Sequence, residues 1–155
     1  MDFQALIIVI CLASFPIAIT PSPTDLFQQS GIEGRVYLVA GNRMPAPGHP
    51  AGRPPGVRGT ICVFELTNDN QVVRQGTSPY CKAVHTRLVR QIDTDDKGNF
   101  SMLLPPGTYS VFTKKGNLFY ASRRDEKNNI APVEVLPGKM TRVDCSVESD
   151  HKAVY

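Results

Sequence analysis

The side chains able to do chemistry are few and dispersed. Of the three histidines, His49 stands among prolines, His85 on the outward phase of a strand pattern and His151 near the C-terminus. A zinc centre needs ligands that one hairpin or helix can present together, as in His-Glu-x-x-His, and no such spacing occurs. Ser, His and Asp all occur, but the Gly-x-Ser-x-Gly elbow that exposes a nucleophile is missing. The expectation is therefore a protein that is not an enzyme and carries no cofactor or metal. One oxygen-rich cluster, Asp93, Asp95, Asp96 and Asn99, has the near-alternate spacing of a Ca²⁺ loop. It lacks the later bidentate Glu, and Asp and Asn beside a glycine serve their own backbone, so Asp95 and Gly98 are assigned to a turn.

Recognition by contact is the chemistry that remains. Sugar rings stack on exposed aromatics, and this chain, which has no Trp, offers Phe119 and Tyr120 as a candidate platform, with Tyr80 and Phe112 as further candidates. Adjacent strand residues point to opposite faces, so at least one of Phe119 and Tyr120 belongs to the core. A partner surface is expected in residues 41–59, where prolines and glycines forbid regular helix or interior strand and make a long excursion. Its candidate contact residues are Met44, Pro45, Pro47, His49, Arg53, Pro54 and Pro55.

Four elements of organisation frame these residues. Residues 3–19 are apolar but for Gln4 and Ser14, the size of a secretory h-region, and residues 1–20 are read as a signal peptide. No Lys or Arg precedes the apolar run, so the alternative is a membrane anchor through residues 3–19, at the short limit of a span of roughly 17 to 25 residues. Ile10 stands before Cys11 where lipidation wants a small residue. Residues 21–30 read as a linker, 31–148 as one domain and 149–155 as a tail. The net charge of +3 comes from basic residues scattered along the chain, which does not indicate nucleic acid.

Beyond the leader three cysteines remain, Cys62, Cys81 and Cys145, enough for one disulfide and one leftover thiol in an oxidising compartment. All three pairings are open. Cys62 and Cys145 fall on the inward phase of their strands and can equally serve as small buried hydrophobes, whereas Cys81 falls in a loop and is the better-placed bridge partner.

The rest of the domain reads as strand throughout. Strands are expected at 31–40, 60–66, 83–93, 100–104, 109–112, 118–121, 132–136 and 140–147, with Phe100, Met102 and Leu104 on one face and Ser101 and Leu103 on the other, and no stretch keeps a period of 3.6 over three turns. Within 83–93, Arg90 breaks the apolar phase of Val84, Leu88 and Ile92. Turns around Asp96-Lys97-Gly98-Asn99 and Pro105-Pro106-Gly107 read as hairpin joints, and Pro137-Gly138-Lys139 as the joint of a last hairpin.

The pattern Thr94-Asp95-x-x-Gly98-x-Phe100, followed by Leu104-Pro105-Pro106-Gly107-x-Tyr109-x-Val111, resembles the carboxypeptidase regulatory-like domain. Gly34-Arg35-Val36, Asn42-Arg43-Met44-Pro45, Val133-Glu134-Val135 and Gly138-x-x-Thr141-x-Val143 are similar to that family too, so the likeness runs over most of residues 31–147. It is closest to the small, single-domain exported members found in bacteria. The resemblance implies an all-β, transthyretin-like Greek-key sandwich of about seven strands with little or no helix. It also implies a non-catalytic accessory module, exported to the periplasm, the cell surface or the medium. The partner is then an unidentified protein or glycan at the cell envelope. Carbohydrate binding through exposed aromatics is the alternative, since starch-binding sandwiches share this topology.

Overall fold

A computed structural model describes residues 30–39 and 54–148. Ten strands run in chain order: β1 (Gly31–Val39), β2 (Thr60–Glu65), β3 (Val72–Arg74), β4 (Tyr80–Val84), β5 (Leu88–Asp93), β6 (Asn99–Leu103), β7 (Gly107–Lys115), β8 (Leu118–Tyr120), β9 (Pro132–Val135) and β10 (Met140–Glu148). The only helical piece among the described residues is the 3₁₀ turn Asp69–Gln71. The strands form two sheets, one of order β10-β1-β6 and one of order β3-β4-β8-β7-β2-β5, with β9 also paired to β7. An all-β sandwich is thus what the alternation anticipated, with ten strands where about seven were expected.

The main core lies between the sheets. Ile32, Val36, Phe100, Met102, Val143 and Val147 of the small sheet meet Ile61, Val63, Val111 and Val135 of the large one. Each such side chain contributes roughly 1.5 to 3 kcal/mol on burial. The pattern on β6 is as read: Phe100 and Met102 are buried, Ser101 and Leu103 exposed.

A second cluster occupies the outer face of the large sheet. Cys62 and Phe64 of β2, Phe112 of β7, Cys81 of β4, and Ala121 and Ile130 pack there, with Phe119 alongside. β2 and β7 are therefore buried on both faces, which explains why Thr60–Glu65 reads as a nearly continuous apolar run. The cover is fixed by backbone bonds: Ile130 N–H donates to the Thr67 carbonyl at 2.8 Å and Val111 N–H to the Ala131 carbonyl at 3.2 Å.

Three sequence readings need correction. The expected strand 83–93 is two strands, β4 and β5, separated at His85, Thr86 and Arg87. A bulge opposite Val63 and Phe64 leaves Val89 unpaired on β5 and turns it toward the core, while Arg90 and Leu88 are exposed. Strict alternation put those residues in the wrong phase because a bulge inserts one residue.

The turns at 95–98, 104–107 and 136–139 are not hairpin joints. They carry the chain from β5 to β6, from β6 to β7 and from β9 to β10, each time between sheets. β10 instead pairs parallel with β1 in unbroken register, Gly31 opposite Met140 through Val39 opposite Glu148. Alternation cannot distinguish a strand beside its predecessor from one facing it across a core, because both bury the same side chains. The true tight hairpin is β7–β8, where Lys115 pairs with Leu118 around Gly116 and Asn117.

β3 went unread because three residues are too few for a period. A capping box, in which the Asn68 side chain accepts from Asn70 N–H and Gln71 Oε1 from Asn68 N–H, starts the short turn before it. Arg74 Nε then ties β3 to Asp69 Oδ1 at 2.7 Å.

Candidate functional site

The excursion between β1 and β2 leaves and rejoins the sandwich through a closed neck. Val57 N–H donates to the Val36 carbonyl and Leu38 N–H to the Pro55 carbonyl, both at 3.0 Å. Tyr37 bridges Gly56 between them. The neck is backed by the 95–98 turn, where the Gly98 carbonyl accepts from Val36 N–H at 2.8 Å and the Lys97 carbonyl accepts from Arg35 Nε at 2.6 Å. A Cβ on Gly56 would overlap that Lys97 carbonyl, and one on Gly98 would overlap the carbonyl of Val36. Gly98 also has φ +81°, a left-handed conformation that glycine alone adopts without strain.

Of the candidate contact residues, Pro54 and Pro55 lie in this neck, and Pro55 belongs to the scaffold through its carbonyl. Met44, Pro45, Pro47, His49 and Arg53 lie outside the described residues, as do residues 1–29 and His151. Sequence reasoning missed Arg35, Gly56 and Val57 as neck residues. The Gly56-Val57 pair at the end of a Pro/Gly run was the available signal.

Asp95 works as a turn acceptor. Its Oδ1 accepts from Lys97 N–H at 2.9 Å and Asn99 N–H at 2.7 Å, and its Oδ2 from Asn99 Nδ2 at 2.8 Å. Asp125 repeats the arrangement with Lys127 N–H, Asn129 N–H and Asn129 Nδ2, at 2.9, 2.8 and 2.8 Å. Asp-x-Lys-x-Asn is therefore written twice, with a positive φ at the fourth place in both, Gly98 and Asn128. The second copy is hard to see in the sequence because residues 123–129 contain no glycine or proline to mark a turn.

Hydrogen bonds from Asn99 and from Asn129 hold the Asp95 and Asp125 carboxyls below the ordinary 3.8. A carboxyl depressed in the folded state adds stability above its unfolded value and loses it as pH falls through the folded one. Chemical denaturation should thus show stability falling below about pH 4, and the Asp95→Asn, Asp125→Asn double variant should show a shallower fall. An unchanged slope would contradict these turns as its source.

The second corner, Pro105-Pro106-Gly107, is held by Tyr109, whose hydroxyl donates to the Pro105 carbonyl at 2.8 Å. That bond gives a physical reason for the Pro-Pro-Gly-x-Tyr spacing.

The aromatic pair does not form an exposed platform. Tyr120 is 5% exposed. Phe119 packs edge-on to Phe64 with ring centroids 5.4 Å apart, and Phe112 is wholly buried beside both. Tyr80 is half-buried against Tyr120, at 4.9 Å between centroids. Both faces of this part of the sheet carry packing, so adjacent residues are both used inside.

All three cysteines within the described residues are free thiols. Cys81 is a buried strand residue of β4, not a loop residue, and Cys62 is buried on the outer cluster. Cys145 is half-buried on the main-core face of β10. Burial pushes the Cys62 and Cys145 thiols up to about 11, opposed by Lys114 at the first and by a Thr113 hydrogen bond at the second. Burial raises Cys81 as well. Thiols so placed stay protonated at neutral pH and make poor nucleophiles. A cavity of about 50 Å³ beside Cys145, lined also by Thr113, Tyr120, Arg123, Asp144 and Ser146, has room for a few waters.

No group of three or more His, Cys, Asp and Glu gathers to hold a metal among the described residues. No helix there is long and apolar enough to cross a membrane. Comparison with models of known protein families and with curated proteins finds no match for this chain.

Proposed function

We propose that this chain is a non-catalytic interaction module of the carboxypeptidase regulatory-like kind, exported to the cell envelope, where it presents residues 40–53 to a protein partner. The observation that carries the reading is the neck. Backbone bonds between Val36 and Val57 and between Leu38 and Pro55 hold the two flanks of residues 40–53 together on the sandwich. Presentation from a rigid scaffold lowers the ordering cost of binding, and prolines within the excursion lower it further. Export suits the buried thiols: Cys62 and Cys81 are shielded from oxidants by burial and by their suppressed ionisation.

The test is a replacement, not a wide deletion, because Pro55 is part of the scaffold. Residues 42–52 are exchanged for a short Gly/Ser linker and the variant is compared with the full chain in capture from envelope extract. The expected result is an unchanged melting temperature, since surface loops are altered at little cost, with loss of the captured protein. Equal capture by both would place the contact elsewhere.

A further inference from the structure

A crevice between the two sheets is a second site, and it shares no residue with the neck. Its origin is a change of neighbour along β7. β8 pairs with β7 from Thr113 to Lys115 and β9 pairs with it from Gly107 to Ser110, so among the described residues no strand lies on that side of Val111 and Phe112. Residues 121–131 span the gap, tied to β7 through the bond from Val111 N–H to the Ala131 carbonyl. Between this span and β10 the layers do not close fully, and the cavity beside Cys145 remains.

Floor and mouth differ in chemistry. Val111, Tyr120 and Val143 make a buried, largely apolar floor. The polar groups there, the Thr113 hydroxyl and the Cys145 thiol, are joined by a hydrogen bond to each other. Ser122, Arg123 and Asp144 stand exposed at the mouth. Among the described residues no carboxylate pairs with the Arg123 guanidinium. Asp144, the one acid of this lining, is already met by other cations: it lies 3.7 Å from Arg142 Nε and opposite Arg35 in register. The groove that adjoins the crevice, between β9 and β10, shares Arg123 and adds Lys139 and Arg142 against one further acid, Glu134. Three cations thus face two acids around the opening. A mouth of that sign draws anions.

We propose that the crevice binds a small monocarboxylate with a short branched hydrocarbon chain, the chain displacing water from Val111 and Val143 and the carboxylate pairing with Arg123. Size sets the length of the chain. A few waters, at about 30 Å³ each, fill the space of a few methyl or methylene groups, which is too little for a sugar. The apolar floor sets its character, because water held against such a wall is displaced by an apolar group with a gain in affinity. The charge at the other end follows from Arg123, whose planar fork of donors matches a carboxylate in bidentate geometry. A ligand of so few atoms binds weakly, and a millimolar Kd is expected.

The experiment uses the full chain in mild detergent with carbon-13 in its valine methyl groups. Isovalerate at neutral pH should shift the signals of Val111, Val133 and Val143 and saturate. Acetate, with a single methyl group to bury, should need more than about tenfold higher concentration. Isopentylamine, the same chain ending in a cation, should not saturate. Arg123→Gln should weaken isovalerate about tenfold. Arg124→Gln should leave it unchanged, since Arg124 turns to Asp69 at 3.4 Å. The methyl spectrum of each variant separates lost binding from a lost fold. The absence of saturable shifts at the three valines, an equal response to the amine, or wild-type affinity in folded Arg123→Gln would each overturn the proposal.

Discussion

Gly98→Ala should destabilise the domain by about 3 kcal/mol, as read from urea denaturation. The residue holds φ +81°, which strains any side chain, and its new methyl would overlap the Val36 carbonyl and approach the backbone N and O of Val57 at 2.9 Å. Those atoms are backbone and cannot swing aside. The neck would have to open, so loss of stability should come with loss of the bonds that hold residues 55–57 to β1. Gly116→Ala is the control: its φ is +58° but nothing lies within 4 Å, so strain acts alone and about 1 kcal/mol is expected. Equal losses at the two sites would show that close approach at Gly98 carries no weight.

Phe112→Ala should cost about 3 to 5 kcal/mol. The ring is fully buried on the outer face of the large sheet, edge-on to Phe64 at 5.5 Å and near Phe119 at 6.3 Å. Its removal leaves a cavity that β2 and β8 cannot close without breaking their pairing with β7. Leu103→Ala, on the exposed face of β6, should cost under about 0.5 kcal/mol. A small loss at Phe112 would mean that the outer cluster is mere surface cover and not a second core.

Fold class was legible because alternation is a local property, and Phe100, Met102, Val111, Val135, Val143 and Val147 are buried where period two puts them. Sheet membership was not legible. Val135 and Val143 face one core from opposite sheets, and the same alternation would suit a hairpin. The outer cluster was half visible: Cys62 and Phe112 lie out of phase with Ile61 and Val111, and such residues on both faces of a strand signal packing on both sides. It was this second layer that took Phe119 out of a stacking platform, while Tyr120, the next residue along β8, is buried on the opposite face against Tyr80. The neck was invisible because it depends on backbone groups of Val36, Leu38 and Pro55, which any side chain would supply. Of its parts, only Gly98 and the Gly56-Val57 pair left a mark in the sequence.

The central claim is that residues 40–53 meet the partner from a fixed neck. A photo-crosslinking side chain placed at His49 of the full chain, with the exposed Lys82 of β4 as the comparison site, tests it in the intact envelope. The expected result is one discrete protein adduct from position 49, absent from position 82. Adducts from position 82 alone, or none from position 49 while the chain remains folded, would contradict it.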